Sequence, residues 1–218
     1  MSKRILIVSG GELDEQLTLS YLKQEENGYI IAVDRGMEFL YKHKITPSYI
    51  VGDFDSVDEE IADFYRYETR VPIREFNPVK DASDTEIAVR MAMTLGGKEL
   101  IILGATGGRL DHFWANVQTL YVPFKSGVNA KIIDKQNCIS LIEGDIVLKR
   151  EEAYGPYFSI FPLSQEIFGF KIEGAKYPLS NHCLTAHDSL CVSNEFDKDE
   201  VIIRCPSGVA ILMETRDK

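Results

Sequence analysis

The chain has 218 residues, with 24 Lys+Arg against 34 Asp+Glu and a net charge of −10 at pH 7. That length suits one large domain or two small ones, each able to bury a core. The acidic balance gives no global attraction to nucleic acid or anionic membrane, so a polyanionic ligand would need local cations or a divalent metal.

The first apolar run, residues 5–8, is too short for a signal-peptide core or a membrane span, and no later stretch reaches 18 apolar residues; a cytoplasmic protein is expected. Up to about residue 125, short β-branched runs at 5–9, 29–34, 49–52, 71–76 and 99–103 alternate with segments of helical spacing. Leu13, Leu17 and Tyr21 share one helical face, as do Ile87, Met91 and Leu95. Such alternation indicates βαβ units and a parallel sheet. Pro72 marks the fourth run as an edge or irregular strand. Asp58-Glu59-Glu60 starts one helix. Ser83 to Glu86 reads as a capping box opening another, which Gly96-Gly97 ends.

Beyond about residue 128 the runs follow one another without helices, at 131–133, 139–142, 146–148, 157–161, 168–172, 190–192, 201–204 and 209–213. Glu143-Gly144-Asp145, Gly155-Pro156 and Pro206-Ser207-Gly208 read as turns between them. The expected fold is therefore an α/β domain over 1–130, with a parallel sheet, followed by an all-β sandwich or barrel over 135–218. Cys138, Cys183, Cys191 and Cys205 form no CxxC pair and read as free thiols.

Open parallel sheets bind ligands at the carboxyl ends of their strands. Aspartates fall there: Asp34, then Asp53 and Asp55 flanking Phe54, then Asp81 and Asp84, then Asp111. Two carboxylates about 4 Å apart repel by roughly 4 kcal/mol at an effective dielectric of 20. A cluster of five (Asp53, Asp55, Asp81, Asp84, Asp111) on one rim calls for a cation. Oxygen ligands select Mg²⁺ or Ca²⁺ over zinc, and Mg²⁺ commonly shares its shell with phosphates, so a metal–nucleotide ligand is expected. The stretch Gly104 to His112 adds three glycines that let backbone approach a ligand, and Arg109 as a planar donor fork. Neither GxxxxGK[ST] nor GxGxxG occurs.

These motifs, in this order, resemble the thiamine pyrophosphokinase family. They are Asp34-Arg35-Gly36, Gly52-Asp53-Phe54-Asp55-Ser56, Asp81 to Asp84, and Gly107-Gly108-Arg109-Leu110-Asp111-His112; Tyr177-Pro178-Leu179 and Ser193-Asn194-Glu195 follow. The resemblance implies transfer of the pyrophosphoryl group of ATP to thiamine, giving thiamine diphosphate and AMP. It implies a homodimer with thiamine between the α/β domain of one subunit and the β domain of the other. By position, Asp53, Asp55, Asp81 and Asp84 would be catalytic and hold Mg²⁺. Asp34, Lys80, Thr106, Gly107, Gly108, Arg109, Asp111 and His112 would bind nucleotide, and Ser193, Asn194 and Tyr177 thiamine. Residues 185–191 depart from the smaller, less polar pattern the resemblance leads one to expect.

Two other readings stay open on sequence. Asp53 to Val57 also looks like the nucleophile motif of haloacid-dehalogenase-type Mg²⁺-dependent phosphatases. A non-catalytic nucleotide or thiamine sensor would use the same scaffold. His182 and His187 near Cys183 lack a recognised zinc spacing.

Overall fold

The computed structural model describes residues 3–24, 28–75 and 82–218. Expectations for Lys80 and Asp81 therefore lie outside the described residues. The chain forms two compact units, Met1–Lys135 and Gln136–Lys218.

In the first unit, β1 (Arg4–Val8), β2 (Tyr29–Val33), β3 (Tyr49–Gly52), β4 (Ile73–Glu75), β5 (Glu99–Leu103) and β6 (Asn129–Ile133) lie in the order β6-β5-β1-β2-β3-β4. Every pairing among them is parallel. The inner strands are continuous apolar runs, such as Ile5 to Val8 and Leu100 to Leu103, because both of their faces are buried. Among the described residues the connections between strands hold the α-helices α1 (Glu15–Gln24), α2 (Gly36–Lys42), α3 (Glu59–Asp63), α4 (Asp84–Thr94), α5 (Leu110–Thr119) and α6 (Tyr121–Lys125). The chain moves outward from β1 to β4, then returns past β1 to form β5 and β6. Right-handed crossovers then put α1 to α3 on one face and α4 to α6 on the other. In agreement, α2 packs on α3, and α4 packs on α5, α6 and strands β1 to β3.

Local expectations fare unevenly. Asp58 caps α3 by accepting the Glu60 N–H at 2.9 Å, and the Ser83 hydroxyl accepts the Glu86 N–H at 3.2 Å. The capping box is only half made, because the Glu86 carboxylate turns to Arg90 at 2.7 Å. The face of α4 that buries is Thr85, Ala88, Val89 and Ala92, while Ile87, Met91 and Leu95 are half-buried. Small side chains let that helix lie close on the sheet, and its larger ones fill the flanks. Pro72 directly precedes β4, which pairs with β3 alone among the described strands. The run at 131–133 is not the first strand of the β unit. It lies in β6, parallel to β5, and the first unit extends to Lys135.

The second unit comprises β7 (Asn137–Lys149), β8 (Tyr157–Pro162), β9 (Glu166–Glu173), β10 (Leu179–Thr185), β11 (Asn194–Glu195) and β12 (Glu200–Thr215), all paired antiparallel. Two expected turns are interior to strands. Residues 143–145 continue β7, and 206–208 form an irregularity within β12 between Cys205 and Ala210. Before that kink β12 pairs with β9, after it with β8, and with β7 on both sides of it. The kink lets one long strand serve two groups of strands, and Phe158, Ile160, Phe170, Ile172, Ile203 and Leu212 fill the core they enclose. The run at 190–192 is a turn: Cys191 is buried while Leu190 and Val192 are exposed. Among the described residues no helix is long and apolar enough to cross a membrane.

Candidate functional site

In the first unit β1 is the switch point, since the chain leaves it toward β2 and later returns to its other side as β5. A crevice at the carboxyl ends of such strands is where doubly wound sheets hold ligands. The loops after β1 and β5 are joined there: Ser9 N–H donates to the Leu103 carbonyl at 2.8 Å and Gly11 N–H to the Gly104 carbonyl at 2.8 Å. The Ser9 and Thr85 hydroxyls lie 3.2 Å apart, buried, which brings the first turn of α4, and Asp84 with it, to the middle of the rim.

The β5 loop depends on glycine. Gly104, Gly107 and Gly108 have φ of +68°, +80° and +63°, and a Cβ on Gly104 would collide with the Ser9 carbonyl. No atom beyond its chain neighbours lies within 4 Å of a Cβ built on Gly108, so that side of the loop is open to a ligand. The Asn116 amide, buried, donates to the Ala105 carbonyl at 3.0 Å and ties the loop to α5. Thr106 is buried, whereas Gly107 to His112 are exposed. Arg109 forks onto Asp111 with contacts of 3.1 and 2.5 Å. That hydrogen-bonded guanidinium, helped by the His112 N–H, pulls the Asp111 carboxyl down to about 2, and Asp111 in turn raises the Arg109 pKa. The pair is a preformed, exposed fork that an incoming anion would have to share or displace.

The acidic turn after β3 is built differently. Asp53 is half-buried, Phe54 is 8% exposed and Asp55 is exposed. Asp53 Oδ1 accepts the Asp55 N–H at 3.3 Å. The Asp34 carboxylate lies against Gly52, where a Cβ would collide with it. Three strand spacings separate β3 from β5, about 14 Å. Of the five aspartates expected to converge, the four described form an array instead: Asp53 and Asp55 stand toward one end, Asp84 near the middle and Asp111 toward the other. Among the described residues no three His, Cys, Asp or Glu side chains gather closely enough to cage a metal. A pair of carboxylates with open positions suits Mg²⁺, which is commonly bound by one or two carboxylates plus water and phosphate oxygens.

In the second unit the predicted residues divide. Asn194, 3% exposed, spends its amide on the protein: its oxygen accepts the Tyr177 N–H at 3.0 Å and the Glu195 N–H at 2.9 Å, and its nitrogen donates to the Tyr177 carbonyl at 2.8 Å. Tyr177 is 57% exposed, with Lys176 Nζ 5.5 Å from its ring centroid. Ser193 is exposed at φ +55°, and its N–H donates to the Ser159 hydroxyl at 3.0 Å. His182 Nε2 lies 3.3 Å from Asp188, which also accepts the Thr185 N–H at 2.8 Å.

Ser9, Gly11, Thr85 and Asn116 are parts of the rim that sequence reasoning missed. The signal for the first two was the Gly10-Gly11 pair straight after the first strand. Thr85 and Asn116 act through tertiary contacts that no local pattern announces.

Two family descriptions match the chain: "Thiamin pyrophosphokinase, catalytic domain" over residues 21–132 and "Thiamin pyrophosphokinase, vitamin B1 binding domain" over 144–210. The thiamine pyrophosphokinase of Bacillus subtilis is 33% identical over 217 residues, 99% of this chain and 100% of that one. A crystal structure of thiamine pyrophosphokinase from that organism superposes with a TM-score of 0.85 at 30% identity, covering 99% of this chain and all of that one. That of the Geobacillus thermodenitrificans protein gives 0.84 at 28% identity, covering 99% and 98%. The chain belongs to the thiamine pyrophosphokinase family.

Proposed function

We propose that this chain transfers the pyrophosphoryl group of ATP to the hydroxyl of thiamine, releasing AMP, and works as a cytoplasmic homodimer. The first unit is read as the nucleotide-binding domain and the second as a β-sandwich thiamine-binding domain. The observation that supports this most is the rim itself: an acidic turn after β3 and an open glycine loop with Arg109 after β5, about 14 Å apart on one edge. A compact phosphate ester does not need two such stations, whereas an elongated nucleoside triphosphate does.

The hydroxyl oxygen of thiamine attacks the β-phosphorus, the bond from that phosphorus to the oxygen of the α-phosphate breaks, and AMP leaves with its electron pair. Such a transfer demands alignment and charge neutralisation more than covalent work by the protein. Exposed backbone of Gly107 and Gly108 cradles phosphate, Thr106 and Asn116 hold that backbone, and Arg109 with Asp111 and His112 borders the nucleotide. Asp34, against the β3 turn, and Lys80 belong to the same nucleotide set. Asp53, Asp55, Asp81 and Asp84 would hold Mg²⁺, which when bound offsets the charge of the phosphates. Asp81 or Asp84 orients the thiamine hydroxyl and accepts its proton. Ser193 and the Tyr177 ring are the exposed candidates for thiamine, and Asn194 keeps Tyr177 in place.

The phosphatase reading leaves the β5 loop and the second unit unused, and the sensor reading leaves the acidic turn without a task. Purified protein given ATP, Mg²⁺ and thiamine, with each omitted in turn, tests the proposal. AMP and thiamine diphosphate formed together, and only in the full mixture, are expected. ADP, or phosphate release without thiamine, would overturn it.

A further inference from the structure

The acidic turn holds a backbone irregularity. Phe54, between Asp53 and Asp55, has φ +60°, a left-handed conformation that bulky side chains rarely adopt, yet its ring is buried. The Arg66 guanidinium lies over that ring, 5.4 Å from its centroid.

Arg66 comes from a second irregularity. Directly after α3 the chain forms a π-helical turn, Phe64–Glu68. Such turns are rare and concentrate at functional sites. This one is anchored by aromatic packing. Phe64 and Tyr65 meet edge to face at 5.2 Å, and both meet Tyr41 of α2, at 4.9 and 6.4 Å. Tyr65 is buried deeply enough to push its phenol up to about 12, and its carbonyl accepts the Thr69 hydroxyl at 2.9 Å. Each residue of an α-helix turns the chain by about 100°, so one residue more or less would swing Arg66 away from Phe54. The acidic turn is held at its far end too, where Glu38 of α2 accepts the Asp58 N–H at 3.2 Å.

We propose that Arg66 is a positioning residue for the acidic turn: held over the Phe54 ring by the π-helical turn, it keeps Phe54 left-handed and so fixes the directions of Asp53 and Asp55. This rests on the reading of that turn as a Mg²⁺-holding pair. Arg66 itself touches neither metal nor substrate in this role. Within the turn itself the Phe54 carbonyl accepts the Val57 N–H and the Asp53 carboxylate accepts the Asp55 N–H, both at a long 3.3 Å.

The test compares the unmodified protein with Arg66→Ala, Arg66→Lys, Phe54→Leu and Asp55→Asn. Mn²⁺ binding in the presence of ATP is followed by electron paramagnetic resonance, alongside the Mg²⁺ dependence of turnover, the thiamine KM and Tm. Arg66→Ala and Phe54→Leu should each weaken Mn²⁺ binding and raise the half-saturating Mg²⁺ about fivefold, with thiamine KM unchanged, and Arg66→Lys should recover most of the loss. Unchanged Mn²⁺ affinity in both variants, or an equal loss in thiamine KM, would overturn the proposal. If Arg66→Ala fails to fold, Phe54→Leu and Arg66→Lys decide it by the same readings. Should Asp55→Asn bind Mn²⁺ as tightly as the unmodified protein, the reading of the turn as a metal site fails instead.

Discussion

The rim of the first unit and the Tyr177–Asn194 corner of the second hold their candidate residues in opposite ways. On the rim the backbone carries the constraint, through glycines at positive φ, left-handed Phe54 and loops stitched across β1 and β5, while the side chains of Asp55, Arg109 and Asp111 stay exposed. At the corner a buried side chain carries the constraint: the Asn194 amide pins the Tyr177 backbone. A polar motif thus has two meanings. Where the backbone is already fixed, its side chains are available for chemistry. Where it is not, one of them serves as scaffold.

The sharpest way to break that contrast is to remove a rim carboxylate. The Asp55 side chain is exposed, so Asp55→Ala should cut kcat by about a thousandfold, ~4 kcal/mol of transition-state stabilisation, with Tm nearly unchanged. Near-normal turnover would defeat the assignment. The complementary change strikes the rim's backbone. Gly36 lies so close under β1 that a Cβ would collide with the Val8 carbonyl. Gly36→Ala should cost about 3 kcal/mol by denaturant unfolding, because backbone cannot yield as a side chain can. A cost below about 0.5 kcal/mol would show that the rim is not rigidly built.

At the corner, Asn194→Ala strands the Tyr177 and Glu195 N–H groups and should cost about 2 kcal/mol of stability. It should raise the thiamine KM with ATP KM unaffected, because Tyr177 loses its anchor. Loss of thiamine binding without loss of stability would mean that Asn194 contacts the substrate directly.

What could be read from sequence follows the same division. The βαβ alternation and the aspartates at strand ends are local patterns, and the parallel sheet bears them out. The Ser83 and Asp58 caps are local too. The misses are tertiary. Gly144 and Gly208 looked like turn residues, but each sits at positive φ within a long strand, where pairing partners decide that the chain continues. Ile87, Met91 and Leu95 outrank Ala88 and Ala92 in hydropathy, yet closeness to the sheet selects the alanines. Spacing puts Asp53 and Asp111 on one rim, but only strand order reveals how far apart they stand.

The smallest effect separates the two regions by acid and salt. Asp111 on the rim and Asp188 in the second unit both have lowered pKa values, for different reasons. The Arg109 guanidinium is the main cause at Asp111, bringing it to about 2, and the Thr185 N–H is the main cause at Asp188. A carboxyl depressed in the folded state binds its proton more readily unfolded, so its contribution is full above the unfolded value near 4 and fades as pH falls through the folded value. For Asp111 that window runs from about 4 down to about 2. The Tm difference between the unmodified protein and Asp111→Asn should be small and constant from pH 7 to 5, then shrink below 4, and 0.5 M salt at pH 6 should shrink it further, since exposed ion pairs are screened. Asp188→Asn should show acid dependence of the same sign but little response to salt, because a backbone N–H is not a mobile charge. Equal salt sensitivity at both sites would mean that Asp188 is held chiefly by His182, 3.3 Å away, rather than by the Thr185 N–H.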